Sequence, residues 1–217
     1  EQEFDPWGEI QTPIHERLKW KEATGQKQWE NWKGELRDQS RKKIPLFAAF
    51  LVNEDGTDWQ AIVSIPDYEK IRPYRYLAPT GIGDRLFTPP VPKTIREKVS
   101  DRYGVEVPLD GSFWKWFETA KIPRIPTEGG KKGLSLLSQG YVGMAMYGCD
   151  CGGKETPTPD LSRFNKDGST WLFALDRDTK RETVIKVNAS RKRLANVLSS
   201  QSVVCIEDII WEPEHGK

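Results

Sequence analysis

From residue 121 onward short apolar runs alternate with helix-forming runs, and this alternation limits the available folds more than any other feature of the chain. The stretch "IPRIPTEGGKKGLSLLSQGYVGMAMYGCDCGG" reads as a strand, a tight glycine turn, a helix over residues 131–138, a glycine stop at Gly140 and a second strand. Leu134 and Leu137 form the inward side of that helix. Residues 148–169 are rich in Gly and Pro and read as a long irregular loop. Trp171-Leu172-Phe173-Ala174-Leu175 is a continuous apolar run, the pattern of a strand covered on both faces. A basic helix near 182–198 and a last strand in "SVVCIEDIIW" complete the pattern. Strands alternating with helices join in parallel, with the helices on the faces of the sheet. The expected class is therefore α/β, or α+β over the whole chain.

The upstream half has a different texture. Residues 1–43 are polar with interspersed Trp20, Trp29 and Trp32 and predict a helical segment. Interleaved Trp and Lys fit either a surface for stacking bases or helices packed on the domain. Residues 44–120 predict a smaller mixed lobe. It holds a hairpin turning at Asn53-Glu54-Asp55-Gly56, a Pro/Gly-rich connection, a helix over 93–103 and a second helix in "GSFWKWFETA". Phe113, Trp114 and Phe117 would form one apolar face of that second helix. The expected organisation is thus 1–43, 44–120 and 121–217.

With 36% hydrophobic and 30% charged residues in 217, the chain is composed like a water-soluble protein long enough to bury a core. No apolar run is long enough to span a bilayer and no signal peptide is visible, so the expectation is a cytoplasmic protein with no membrane partner. The first residue is Glu1, as expected of a piece excised from a longer protein whose C-terminal part is also cut short. Cys149, Cys151 and Cys205 fit neither an even disulfide framework nor zinc spacing and read as free thiols. The net charge of +1 conceals local patterning. Residues 177–193 carry seven basic and two acidic side chains, and residues 69–102 carry eight and four. Local basic surfaces of this kind steer polyanions.

The chemistry concentrates where strands end. Asp176 and Asp178 follow the 171–175 strand and, by alternation, point the same way. Glu128, followed by Gly129-Gly130, ends the strand before the 131–138 helix. Alone, the aspartates fit a solvated turn and Glu128 fits a carboxylate serving a helix dipole. Together they describe a hard-cation site of the Mg²⁺ or Mn²⁺ type for phosphoryl transfer, with Glu128 as general base or further ligand. Lys131, Lys132 and Arg177 would supply countercharge to a nucleic-acid backbone.

"PTEGGKKGLSLLSQGYVGMAMYGCDCGG" followed by "FALDRDTK" resembles the Toprim-like domain common in cyanobacterial plasmid replication proteins. The resemblance implies the small, mostly parallel sheet shared by bacterial replicative primases, topoisomerases and some nucleases. That fold carries a Glu-Gly after its first strand and an Asp-x-Asp after a later one, here Glu128-Gly129 and Asp176/Asp178. Upstream, Tyr76-Leu77 and Leu86-Phe87 are similar to the lobe preceding Toprim in bacterial primases, with Arg75 in place of a lysine. That lobe faces the template strand, which makes Arg72, Arg75 and Arg85 candidate DNA contacts; the same arginines also fit a solvated face. Two departures matter. Primases carry an Asp shortly after Glu-Gly, whereas Gly130-Lys131-Lys132 here matches the plasmid branch. That branch also expects a Lys-Gly-x-Asp-Asp element after the last strand, and this chain ends in "EPEHGK". Asp150, at the lip of the second strand, stands as a partial substitute for those acids.

The expectation that follows is a primase-like fragment binding a single-stranded DNA template and nucleoside triphosphates, with a helicase elsewhere in the full-length chain. A metal-dependent nuclease would use the same acids with water as nucleophile. A non-catalytic DNA-binding module, such as one for origin recognition, would retain the acids without needing them.

Overall fold

Parallel strands cannot be joined by a tight turn, so each crossover must spend a dozen or more residues on the way back. A computed structural model describes residues 47–64, 76–79, 83–176 and 180–210. The expected N-terminal helices, Arg72, Arg75, Arg177 and Asp178 lie outside the described residues. The chain divides into two units, residues 1–83 and 84–217.

In the first unit, β1 (Phe47–Val52) and β2 (Asp58–Ser64) form the expected antiparallel hairpin. Its turn closes by Asn53 N donating to Thr57 O (2.9 Å) and Gly56 N to Asn53 O (2.9 Å), and Asp55 Oδ1 accepts from Thr57 N (3.0 Å). Such side-chain-to-backbone bonds are why Asp and Asn populate turns, and Gly56 supplies the positive φ (80°) the turn needs. A short β3 (Tyr76–Leu77) pairs with β2, and Phe50, Leu51, Trp59 and Ala61 are buried.

The second unit begins with α1 (Lys93–Tyr103) and α2 (Phe113–Phe117). Then follow β4 (Ile125–Glu128), α3 (Gly130–Ser138), β5 (Gly143–Met146), α4 (Pro159–Phe164), β6 (Thr170–Phe173), α5 (Arg181–Ser199) and β7 (Cys205–Asp208). β4 pairs with β5 and β6 with β7, all in parallel. Hydrogen bonds from Arg124 N to Thr170 O (2.9 Å), Leu172 N to Arg124 O (2.8 Å) and Ala174 N to Pro126 O (3.0 Å) join the pairs into one sheet of order β5-β4-β6-β7. Phe87 N reaches Ala145 O (2.8 Å) as an antiparallel bridge on the other side of β5. The expected α/β class, within an α+β whole, is what is observed.

Two differences from the expectation have local causes. The 148–169 loop contains α4, started by Thr158 and Pro159 at the N-terminal end, where a missing N–H costs nothing. Helices α1 and α2, expected with the upstream lobe, lie in the same unit as the parallel sheet. The reason is aromatic packing: Trp114 meets Phe164 edge-on (centroids 6.1 Å) and Phe117 lies 5.5 Å from it. Trp114 Nε1 finds Pro89 O at 2.7 Å, so its burial leaves no donor unpaired. Around these rings Leu161, Trp171, Phe173, Leu194 and Leu198 complete one apolar core.

The helices lie on opposite faces. α3 sits against the Thr127–Ala145 face at very short range, because a Cβ on Gly133 would lie 3.3 Å from Ala145 Cβ. α5 covers the Phe173–Asp208 face, where Arg191 Nε reaches Asp208 Oδ1 (3.3 Å). With β4 first and β5 beside it, the chain then crosses to the other side of β4 to build β6 and β7. The direction reverses between β4 and β6, the point at which open α/β sheets part their connecting loops and leave a crevice.

Candidate metal and nucleic-acid site

Glu128 ends β4 and Asp176 closely follows β6, so both carboxylates stand at the carboxyl edge of the two strands flanking the reversal. Strand alternation sends them to different faces. Glu128 shares a face with its partner Met146, toward α5, whereas Asp176 follows Ala174 toward α3. Lys132, on the first turn of α3, spans the gap: its Nζ forms an ion pair with Asp176 Oδ1.

Gly129 allows the chain to turn from strand to helix here. It adopts φ 80° and ψ 134°, a conformation a side chain resists, and its N–H donates to Met146 O (2.9 Å). No side chain caps α3, and with Lys132 N donating to Gly129 O (3.1 Å) the Gly130 and Lys131 amides are the first-turn donors without a backbone acceptor among the described residues. Helix N-termini of this kind favour anions.

Glu128 Oε1 is a buried oxygen without a hydrogen-bond partner among the described residues. Burial pushes the Glu128 carboxyl above its usual value, against the pull of Lys132, the Cys149 amide and Lys186; Asp150 pushes it further up. Burial likewise draws the Lys132 ammonium down, while Glu128 holds it up. A buried carboxylate oxygen with an open lone pair is of the kind a hard divalent cation takes. Among the described residues no three His, Cys, Asp or Glu side chains group into a ready cage. Mg²⁺ seldom needs one, since it commonly takes one or two carboxylates and completes its shell with water and substrate phosphate.

A further set of groups, on α5 and in the loop after β5, gathers on the Glu128 side. Asp150, in the loop after β5, accepts from Lys186 Nζ (2.7 Å) and Ser190 Oγ (2.9 Å), both on α5. Those two partners hold its carboxyl below the usual range. Arg193 Nη2 donates to Cys149 O (2.9 Å) and Cys151 O (3.0 Å), and Nη1 donates to Gly153 O. Lys186, Ser190 and Arg193 at i, i+4 and i+7 thus form one helix stripe that clamps the loop. Their spacing in the sequence was the available signal. Of the other predicted residues, Lys131 is exposed on α3. Arg85 donates from Nε to Asp160 Oδ2 (2.7 Å), the same oxygen that accepts from Leu86 N (3.0 Å). Cys149, Cys151 and Cys205 are free thiols; burial pushes Cys151 up to about 11.

No helix among the described residues is long and apolar enough to cross a membrane. A family model described as a domain of unknown function, DUF3854, matches residues 113–217, the stretch from α2 through the parallel sheet. The chain is also 30% identical over 140 aligned positions to "Uncharacterized protein SYNPCC7002_B0001" of Picosynechococcus sp. (strain ATCC 27264 / PCC 7002 / PR-6). That alignment covers 57% of this chain and 14% of the relative, so the chain spans only a small part of that relative's length. No solved structure matches. From α2 to its end, then, the chain is similar to a DUF3854 domain, and it has a distant cyanobacterial relative.

Proposed function

We propose that this chain is the primase-like part of a plasmid or phage-type replication protein, binding single-stranded DNA and joining nucleotides in a divalent-metal-dependent reaction. The observation that carries the reading is that Glu128 and Asp176 stand at the carboxyl ends of the two strands flanking the reversal, with Lys132 between them and a buried Glu128 oxygen left open beside an uncapped helix N-terminus. The Toprim-like order of motifs supports it, as does the cyanobacterial origin of the relative. A bound Mg²⁺ or Mn²⁺, held by Glu128 and Asp176 with Asp178 as the expected third acid, would offset phosphate charge and acidify the attacking hydroxyl.

The chain's own residues have separable tasks. Glu128 is a proton acceptor for the attacking 3′-hydroxyl, and its raised carboxyl suits that task because a base works best near the operating pH. The α3 amides and Lys132 meet phosphate oxygens of the incoming nucleoside triphosphate, while exposed Lys131 lies along the DNA backbone. Asp176 orients Lys132 until substrate arrives. A helicase in the same full-length protein would deliver the template strand.

The test compares wild type with Glu128→Gln and Asp176→Asn in two assays, primer synthesis on single-stranded DNA and cleavage of a labelled oligonucleotide. Synthesis that falls by about 10²-fold or more in both variants supports the reading. Cleavage lost in the same pattern, without synthesis, makes the protein a nuclease. DNA binding indifferent to chelation and to Asp176→Asn, with neither activity, overturns a catalytic role.

A further inference from the structure

Both flanking helices send a lysine to a carboxylate at the strand ends. Lys132 of α3 pairs with Asp176 from one face, and Lys186 of α5 pairs with Asp150 from the other, at 2.7 Å. Glu128 is within electrostatic reach of Lys132 on one side and of Lys186 and Asp150 on the other, with Oε1 open. Neither pair is sealed: Lys186 and Asp150 are each 62% exposed, and Lys132 and Asp176 are 40% and 35% exposed. Exposed pairs of this kind exchange partners at little cost. The α5 pair also has a seat to return to, because Ser190 keeps Asp150 in place and Arg193 fixes the loop that carries it.

Resting on the metal-centre reading above, we infer that Lys132 and Lys186 are place-holding cations, neutralising Asp176 and Asp150 until phosphate draws the ammoniums away and frees both carboxylates for a divalent ion. Asp150 thereby becomes a positioning or ligating acid that the Glu-Gly and Asp-x-Asp motifs do not include. Metal and polyanion then load together. An ammonium leaving a carboxylate for a phosphate keeps its own charge compensated, and the carboxylate it leaves attracts the metal. Without phosphate, the lysines compete with the metal, so the empty centre holds it poorly.

The experiment is Mn²⁺ titration by calorimetry into the 217-residue chain at low ionic strength, with and without a short oligothymidylate. The arms are wild type, Lys186→Met, Lys132→Met, Asp150→Asn and Asp176→Asn. Expected results are tighter Mn²⁺ binding by oligothymidylate in wild type, and about three- to fivefold tighter binding without it in each lysine variant, with a smaller further gain from the oligonucleotide. Asp150→Asn weakens Mn²⁺ binding and removes the effect of Lys186→Met. Wild-type binding abolished by Asp176→Asn but unchanged or weakened by both lysine variants overturns the inference and leaves the metal centre standing. No Mn²⁺ binding by wild type in either condition overturns the metal centre and the inference with it.

Discussion

Alanine in place of Gly129 isolates the backbone cost of turning from β4 into α3. A Cβ at Gly129 meets nothing within 4 Å, so no clash contributes. The cost is conformational: φ 80° with ψ 134° is a region L-residues resist, worth about 1–3 kcal/mol. Alanine recovers roughly 0.4–1 kcal/mol by narrowing the unfolded ensemble. The net is a loss of about 1–2 kcal/mol, equivalent to a melting temperature lower by roughly 3–8 °C for a unit of this size. Gly148 is the control. Its Cβ also meets nothing within 4 Å, and its φ lies outside the left-handed region. Gly148→Ala therefore retains only the unfolded-state gain and is expected to be neutral or stabilising by up to ~1 kcal/mol. Urea unfolding followed by fluorescence of the buried Trp114 and Trp171 reads both variants on the same signal. Equal stability changes in the two would refute the assignment of strain to Gly129, since both have room for a Cβ and only Gly129 has a positive φ.

Other outcomes follow from the same contacts. Arg124 is buried and donates to the carbonyls of Phe164 (3.2 Å), Ala120 (2.8 Å) and Ile122 (2.7 Å), anchoring the start of β4. Arg124→Met leaves those carbonyls unpaired and is expected to cost roughly 3–4 kcal/mol, while a loss under about 1 kcal/mol in urea titration would show the carbonyls find other donors. Glu128 has its carboxyl raised in the folded protein, so its contribution to stability is full below the unfolded pKa and is lost as pH rises through the folded value. Glu128→Gln, measured with chelator present, should melt higher than wild type at pH 8, with the gap closing in acid; a gap independent of pH would exclude burial of that charge as the cause. Asp160→Asn replaces the acceptor shared by Arg85 Nε and Leu86 N and should lower stability by about 1–3 kcal/mol, with Arg85→Ala costing less because the backbone donor keeps its partner. Parity between those two variants in thermal melts would locate the energy in the guanidinium alone.

What the amino-acid order determined here is local. The apolar run 171–175, the Leu137 side of α3 and the stop at Gly140 (φ 78°) are legible because strand and helix periodicity and a left-handed turn depend on near neighbours. The positions of Glu128 and Asp176 at strand ends were legible for the same reason. Which strands would be neighbours was not. β4 lies between β5 and β6 because Arg124 N donates to Thr170 O and Leu172 N donates to Arg124 O, the latter across 172 − 124 = 48 residues, which no window of sequence contains. The partner of each lysine is likewise a tertiary outcome: Lys132 meets Asp176 over a separation of 44 residues, and Lys186 meets Asp150 over 186 − 150 = 36. α4 shows the boundary between the two cases. Its Thr-Pro start was present in the sequence, but six residues cannot stabilise a helix alone, and it forms because Leu161 and Phe164 are buried in the core. Periodicity specifies what each segment can be; burial across the whole unit decides which carboxylates and ammoniums end up side by side.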